Sequence, residues 1–219
     1  MATINVNRTG HGRSSASSSF STARTSAAAS VTDGLSGDHN VQFYTGRSKR
    51  FDRVFLHFDT SGITGTVSAA HIDIDGGGAS ADPNDTIMIK STAFGGDGGT
   101  ALATSDMFSS LDYSTAYSTE LTSWNASTNN EYTLTAAALA DIKNNDNFIL
   151  AIVDHDNDYS NSNSTATSDV RIDFDTTITL DYTLAATGYG DTVNGVASAN
   201  IATVKGVATA NVETVIGVD

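Results

Sequence analysis

The sequence predicts a mainly β protein: a jelly-roll-like β-sandwich with an extended N-terminal arm and a C-terminal repeat tail. Three observations carry that prediction. Apolar and polar residues alternate along several short segments, which is the two-residue period of a half-buried strand. The stretches between them are rich in Ser, Thr, Asn, Asp and Gly, residues that favour turns and caps over helix interiors. Only three of the 25 acidic residues are glutamate (Glu120, Glu131 and Glu213), so the helix-favouring acid is scarce.

In chain order, residues 1–34 read as a Ser/Thr/Ala-rich arm punctuated by Gly12 and Gly34, residues 35–186 as the sandwich, and 187–219 as a hinge and attachment tail. The segment RVFLHFD puts Val54, Leu56 and Phe58 on one strand face and Phe55 and His57 on the other. AHIDIDGG alternates Ile72 and Ile74 with Asp73 and Asp75, and its three glycines read as the end of the strand. DTIMIKST offers Ile87 and Ile89 on one side. TAAALADIK, at 135–143, predicts a short helix capped by Thr135 with Leu139 and Ile142 inward. SDMFSSLDY, around Met107, predicts a second turn or helix. NFILAIVD is continuously apolar, as a central strand covered on both faces should be. DVRIDFDTTITLDYTL alternates twice, first through Val170, Ile172 and Phe174, then through Ile178, Leu180, Tyr182 and Leu184.

Charge and composition narrow the function. The chain of 219 residues carries a formal net charge of −14, which disfavours nucleic acid and anionic membranes as partners. Its distribution is uneven: seven basic and three acidic residues lie up to Arg53, four and twenty-two after it. A cationic arm suits an acidic surface such as a neighbouring copy, or is simply solvated. Without cysteine there is no disulfide, thiolate metal site or cysteine nucleophile. The opening MATINVNRTGHG has no apolar core of a secretory signal, and no apolar run is long enough for a membrane-spanning helix. Export through a signal peptide is therefore not expected.

Three patches carry a resemblance: RSKRFDRVFLHFDTSGITGTVSAAHIDI, LTAAALADIKNNDNFILAIVDHD and the closing ITLDYTL. Together, over roughly 40–184, they resemble the DNRLRE-type domain, a jelly-roll-like sandwich of surface proteins akin to non-catalytic carbohydrate-binding modules. The resemblance implies a binding or structural role.

The repeat gives a second pointer. From Val193 the chain reads VNGVASANIAT, from Val204 VKGVATANVET, and from Val215 a third unit begins as VIGVD. An eleven-residue period can support a supercoiled helix, but Gly195, Gly206 and Gly217 among β-branched valines argue for short extended arcs. Such arcs would turn at N-G or K-G and pair with another subunit or another protein, with a disordered tail as the alternative. The expected assembly residues are Val193, Gly195, Val196, Ile201, Val204, Gly206, Val207 and Val212. These units resemble repeats in structural proteins of tailed bacteriophages, which implies a virion location and self and other virion proteins as partners.

Candidate sites are few. VDHDNDYSNSNST places Asp154, Asp156 and Asp158 at alternate positions, as a calcium loop does. Tyr159 and Thr165 stand where an EF-hand needs glycine and a bidentate glutamate, so only a looser Ca²⁺ site or a solvated loop fits. The pairs Asp73/Asp75 and Asp173/Asp175 have the chemistry for acid/base work but sit where alternation puts solvent-facing residues. His57 and His71 are isolated strand histidines without paired metal-ligand spacing. The glycine runs at 75–80 and 95–100 match neither phosphate-binding fingerprint and read as loops. Tyr113, Tyr117 and Trp124 offer either an aromatic platform for a glycan or core packing. No catalytic residues are expected. The reading is a non-enzymatic virion structural protein (head-decoration, tail or fibre-associated), the alternative a glycan-binding module or cell-surface adhesive domain that uses Ca²⁺ or does without it.

Overall fold

The computed structural model describes residues 1–81 and 85–185, together with the backbone of two short strands, Thr203–Val204 and Val207–Ala208. The fold is mainly β. In chain order the strands are β1 Ala2–Asn5, β2 Arg8–Ser14, β3 Ala28–Asp33, β4 Asp38–Thr45, β5 Lys49–Asp59, β6 Val67–Ala81, β7 Thr86–Ser91, β8 Leu111–Ala116, β9 Asn129–Thr133, β10 Asn147–Asp154, β11 Ser168–Asp173 and β12 Thr179–Leu184. Helices α1 (Phe20–Thr25), α2 (Asp106–Ser109) and α3 (Ala136–Asn144) fill the connections. Met1–Thr183 form one compact unit and Leu184–Asp219 a second.

The strand order is β1-β12-β6-β11-β4-β5-β10-β7-β8, with β9 on β6, β2 on β5 and β3 on β2. β5 is the hub. Asp52 pairs with both Arg13 and Gln42, and Val54 with both His11 and Ile152. One edge of β5 therefore carries β2, and the other carries β4 and then β10. That central sheet is buried on both faces. Along β10, Phe148, Leu150 and Ile152 enter one apolar cluster with Ile72, Ile74, Tyr132, Ile178 and Leu180. Ile149, Ala151 and Val153 enter another, with Phe43, Phe51, Phe55, Phe94 and Met107. Each buried Val, Leu, Ile, Phe or Met side chain contributes roughly 1.5–3 kcal/mol of burial. The unbroken apolar run of β10 is thus the signature of a strand packed from both sides. β5 divides in the same way, with Val54, Leu56 and Phe58 on one face and Phe55 on the other.

Helix α3 is capped as expected: the Thr135 hydroxyl accepts from the Ala138 N–H (3.4 Å), and Ile142 is buried while Leu139 packs at the margin. Leu184, expected on the inner face, is instead exposed at the end of β12.

Two expectations are corrected. Residues 1–34 are not an arm but carry β1, β2, α1 and β3 within the Met1–Thr183 unit. β1 pairs with β12, β2 with β5, and the Ser19 hydroxyl caps α1. The inward face of β2 is Gly10, Gly12 and Ser14, and the volume above it is filled by Phe94, Leu102 and Met107 from elsewhere in the chain. Nor do the three glycines end β6. The strand runs through Gly76, Gly77 and Gly78, pairing with β9 before them and with β11 from Gly76 onward. Gly76 lies against the Asn125 carbonyl and Gly77 against the Asp38 carboxylate, where a Cβ would collide, while Gly78 adopts φ +144°. Glycine here lets one strand serve both layers.

Candidate functional site

The chain after β10 turns through one π-helical turn, His155–Tyr159. It sends its three aspartates in three directions. The buried Asp154 carboxylate accepts from the backbone N–H groups of Asn157 (2.6 Å) and Asp158 (3.2 Å), from Asn157 Nδ2 (3.0 Å) and from the Ser168 hydroxyl. Burial raises its pKa against the pull of those hydrogen bonds. Asp158, also buried, takes Arg53 in a fork (2.5 and 2.8 Å) and the Tyr113 hydroxyl (2.7 Å), with Arg24 Nε at 3.4 Å. Asp156 points outward to His155, whose Nδ1 lies 3.2 Å from it and 2.8 Å from Glu120. Asp154, Asp156 and Asp158 are therefore not brought together into one cation site, because two of them are structural acids.

The Arg53 guanidinium is fully buried and also donates to the Met107 and Arg24 carbonyls. Burial opposes its charge, but Asp158 outweighs that and holds its pKa above the ordinary value. The same burial, with Asp158 beside it, pushes the Tyr113 phenol up. This centre pins β5, α1, α2 and the π-turn to one another.

The aromatic trio does not form a shared platform either. Tyr113 is partly buried and lies under the Arg24 guanidinium (4.1 Å to the ring centre). Tyr117 is buried and stacks on Phe148 (4.9 Å). Trp124 packs on the sandwich core and donates its Nε1–H to the Gly78 carbonyl (3.0 Å). The three rings pack in three different places, and the Tyr117 hydroxyl reaches a cleft.

A polar cleft of about 460 Å³ opens where β7, the end of α3 and the start of β10 meet. Lys90, Tyr117, Asp141, Asn144, Asn145 and Asn147 line it. Lys90 Nζ donates to Asp141 (2.6 Å), and the Tyr117 hydroxyl donates to the same oxygen. Although burial works the other way, these bonds hold the Asp141 carboxyl below the usual range. At the rim, Asn147 Oδ1 meets buried His57 Nε2 (2.9 Å). The cleft presents amides, an ammonium and a carboxylate, the groups that hydrogen-bond hydroxyls. Sequence reading missed it because its residues come from three separate segments.

The chain matches no family model and no curated protein. Among the described residues, no helix is long and apolar enough to cross a membrane. Two further clusters bring imidazole and carboxylates together on the surface: His71, Asp73 and Glu131, and Glu120, His155 and Asp156. Neither glutamate is marked by the local sequence: the β6–β9 pairing brings Glu131 to His71, and the folded loop before Leu121 brings Glu120 to the π-turn.

In the second unit, the backbone of Thr203 pairs with Ala208 and that of Val204 with Val207, antiparallel. Of the expected assembly residues, Val193, Gly195, Val196, Ile201, Gly206 and Val212 lie outside the described residues.

Proposed function

We propose that this chain is a non-enzymatic structural protein of a bacteriophage virion, a head-decoration, tail or fibre-associated component with a jelly-roll-like body that attaches through its repeat segment. The observation that carries this reading is the eleven-residue unit itself, in which Val204 pairs antiparallel with Val207. A two-residue strand pair buries little and leaves its outer N–H and C=O groups open to further pairing. Another chain's copy of the unit supplies both the missing hydrogen bonds and an apolar seam.

Since residues 1–34 belong to the body, the repeat is the remaining attachment element of this scheme. Light scattering of the full chain beside a chain lacking 187–219 tests it. The reading expects a defined oligomer that becomes monomeric on deletion, and an oligomer of unchanged mass after deletion overturns it.

The polar cleft supports a second reading, a glycan-binding module. Its amide-rich lining is the observation in favour, and retention on immobilised polysaccharide that is lost in Asn147→Ala would establish it.

A further inference from the structure

We propose that His71, Asp73 and Glu131 form a binding site for a divalent transition-metal ion of the zinc or cobalt type on the outer face of the β6–β9 pair. The backbone fixes the arrangement. Ile72 and Ile74 point into the sandwich core, so His71 and Asp73 share the opposite face of β6. On β9, Asn130 and Tyr132 are buried, which turns Glu131 outward, and the register sets Glu131 directly opposite Asp73. One ligand atom from each of the three lies within 4.8 Å of the others.

The spacing is that of ligands around one ion, although the His71–Asp73 contact also lies within ion-pair range when the imidazole is protonated. His71 Nε2 stands 3.6 Å from Asp73 Oδ2, beyond hydrogen-bond reach. Two atoms bound at about 2.0–2.2 Å to one tetrahedral ion stand roughly 3.4 Å apart. Asn129 Nδ2 donates to the other Asp73 oxygen, Oδ1 (2.8 Å), and so orients the carboxylate from outside the site.

Charge points the same way. Asp73 and Glu131 are like charges placed directly across a strand pair, a destabilising arrangement. Among the described residues neither forms an ion pair with Lys or Arg. A cavity of about 120 Å³ adjoins the triad and is lined by His71, Glu131, Thr133 and Asp181, which adds a further acid and room for coordinated water. One imidazole and two carboxylates suit zinc, cobalt or manganese better than calcium, whose sites use oxygen alone. The Glu120–His155–Asp156 cluster is different, because its imidazole already lies at hydrogen-bond distance from both carboxylates.

The test is a titration of chelator-treated full-length protein with Co²⁺, read by its visible d–d absorption, and with Zn²⁺, read by calorimetry. One equivalent is expected to bind. His71→Ala and Glu131→Gln should each weaken it at least tenfold, while His155→Ala leaves it unchanged. Glu131 is exposed and His71 and His155 are partly exposed, and an unaltered melting curve for each variant separates lost ligation from lost fold. Absence of binding, binding that survives both His71→Ala and Glu131→Gln, or binding lost only in His155→Ala would overturn the assignment.

Discussion

Changing Asp158 to Asn keeps the shape of the side chain and removes its charge. The carboxylate receives two bonds from Arg53 and one from Tyr113, with Arg24 close by, and Arg53 has no exposed surface. An amide leaves that guanidinium as an uncompensated buried cation, and breaking such a pair from one side costs about 3–5 kcal/mol. That is a large share of the roughly 5–15 kcal/mol that holds a typical domain folded. With a urea dependence of about 2 kcal/mol per molar, the unfolding midpoint should fall by about 1.5–2.5 M. Equilibrium urea unfolding of the purified variant gives the number directly. The combined change Arg53→Met, Asp158→Leu removes both charges and should recover part of the loss, giving a favourable coupling between the sites. A loss below about 1 kcal/mol for Asp158→Asn, or single losses that simply add in the double variant, would refute the claim that this pair organises the turn after β10.

Two further outcomes follow from the body. His11 is depressed from 6.5 to about 4, chiefly by burial, with Asp52 opposing and His39 and Arg13 reinforcing the shift. Its folded pKa lies below the unfolded one, so between those values only the unfolded chain holds the proton. The associated stability is present above about pH 6.5 and is lost as pH falls towards 4, by at most about 3 kcal/mol. His11→Asn should flatten that part of a stability–pH profile measured by urea midpoints, and an unchanged slope would exclude His11 as its source. Removing residues 1–34 should abolish cooperative thermal unfolding followed by circular dichroism, because it strips β2 from β5 and Arg24 from the Asp158 centre. A truncated chain that melts like the parent would restore the view of this segment as an arm.

Where burial is carried by side chains, the fold is legible in the sequence. Ile72 and Ile74, the run from Phe148 to Val153, and the Thr135 cap all announce their elements. β2 is invisible because RTGHGRS buries backbone rather than side chains: Gly10 and Gly12 make room for Phe94, Leu102 and Met107. The glycines of β6 mislead for the same reason, being read as a stop when they mark close approach. At the candidate sites the difficulty is distance along the chain. Arg53 and Asp158 are 105 residues apart, and nothing in the loop VDHDNDY tells that Asp158 turns inward while Asp156 turns out. Asp73 was visible as a solvent-facing acid, but Glu131 joins it only through the β6–β9 register.

The pairing of β1 with β12 sets an order on how the body can be made. Ala2 faces Tyr182 and Ile4 faces Leu180, so β1 waits for a strand that is synthesised long after it. β5, β4 and β2 lie within the first 59 residues and can join early, since the loops to be closed are short. Until β12 emerges, Ile4 and Val6 lack the Ile178 and Leu180 part of the core they pack against, and the edge of β1 has no partner. Closure of the sandwich is then a late event that follows synthesis of the whole body, and a ribosome stalled before residue 179 would hold a chain in which β1 is still unpaired.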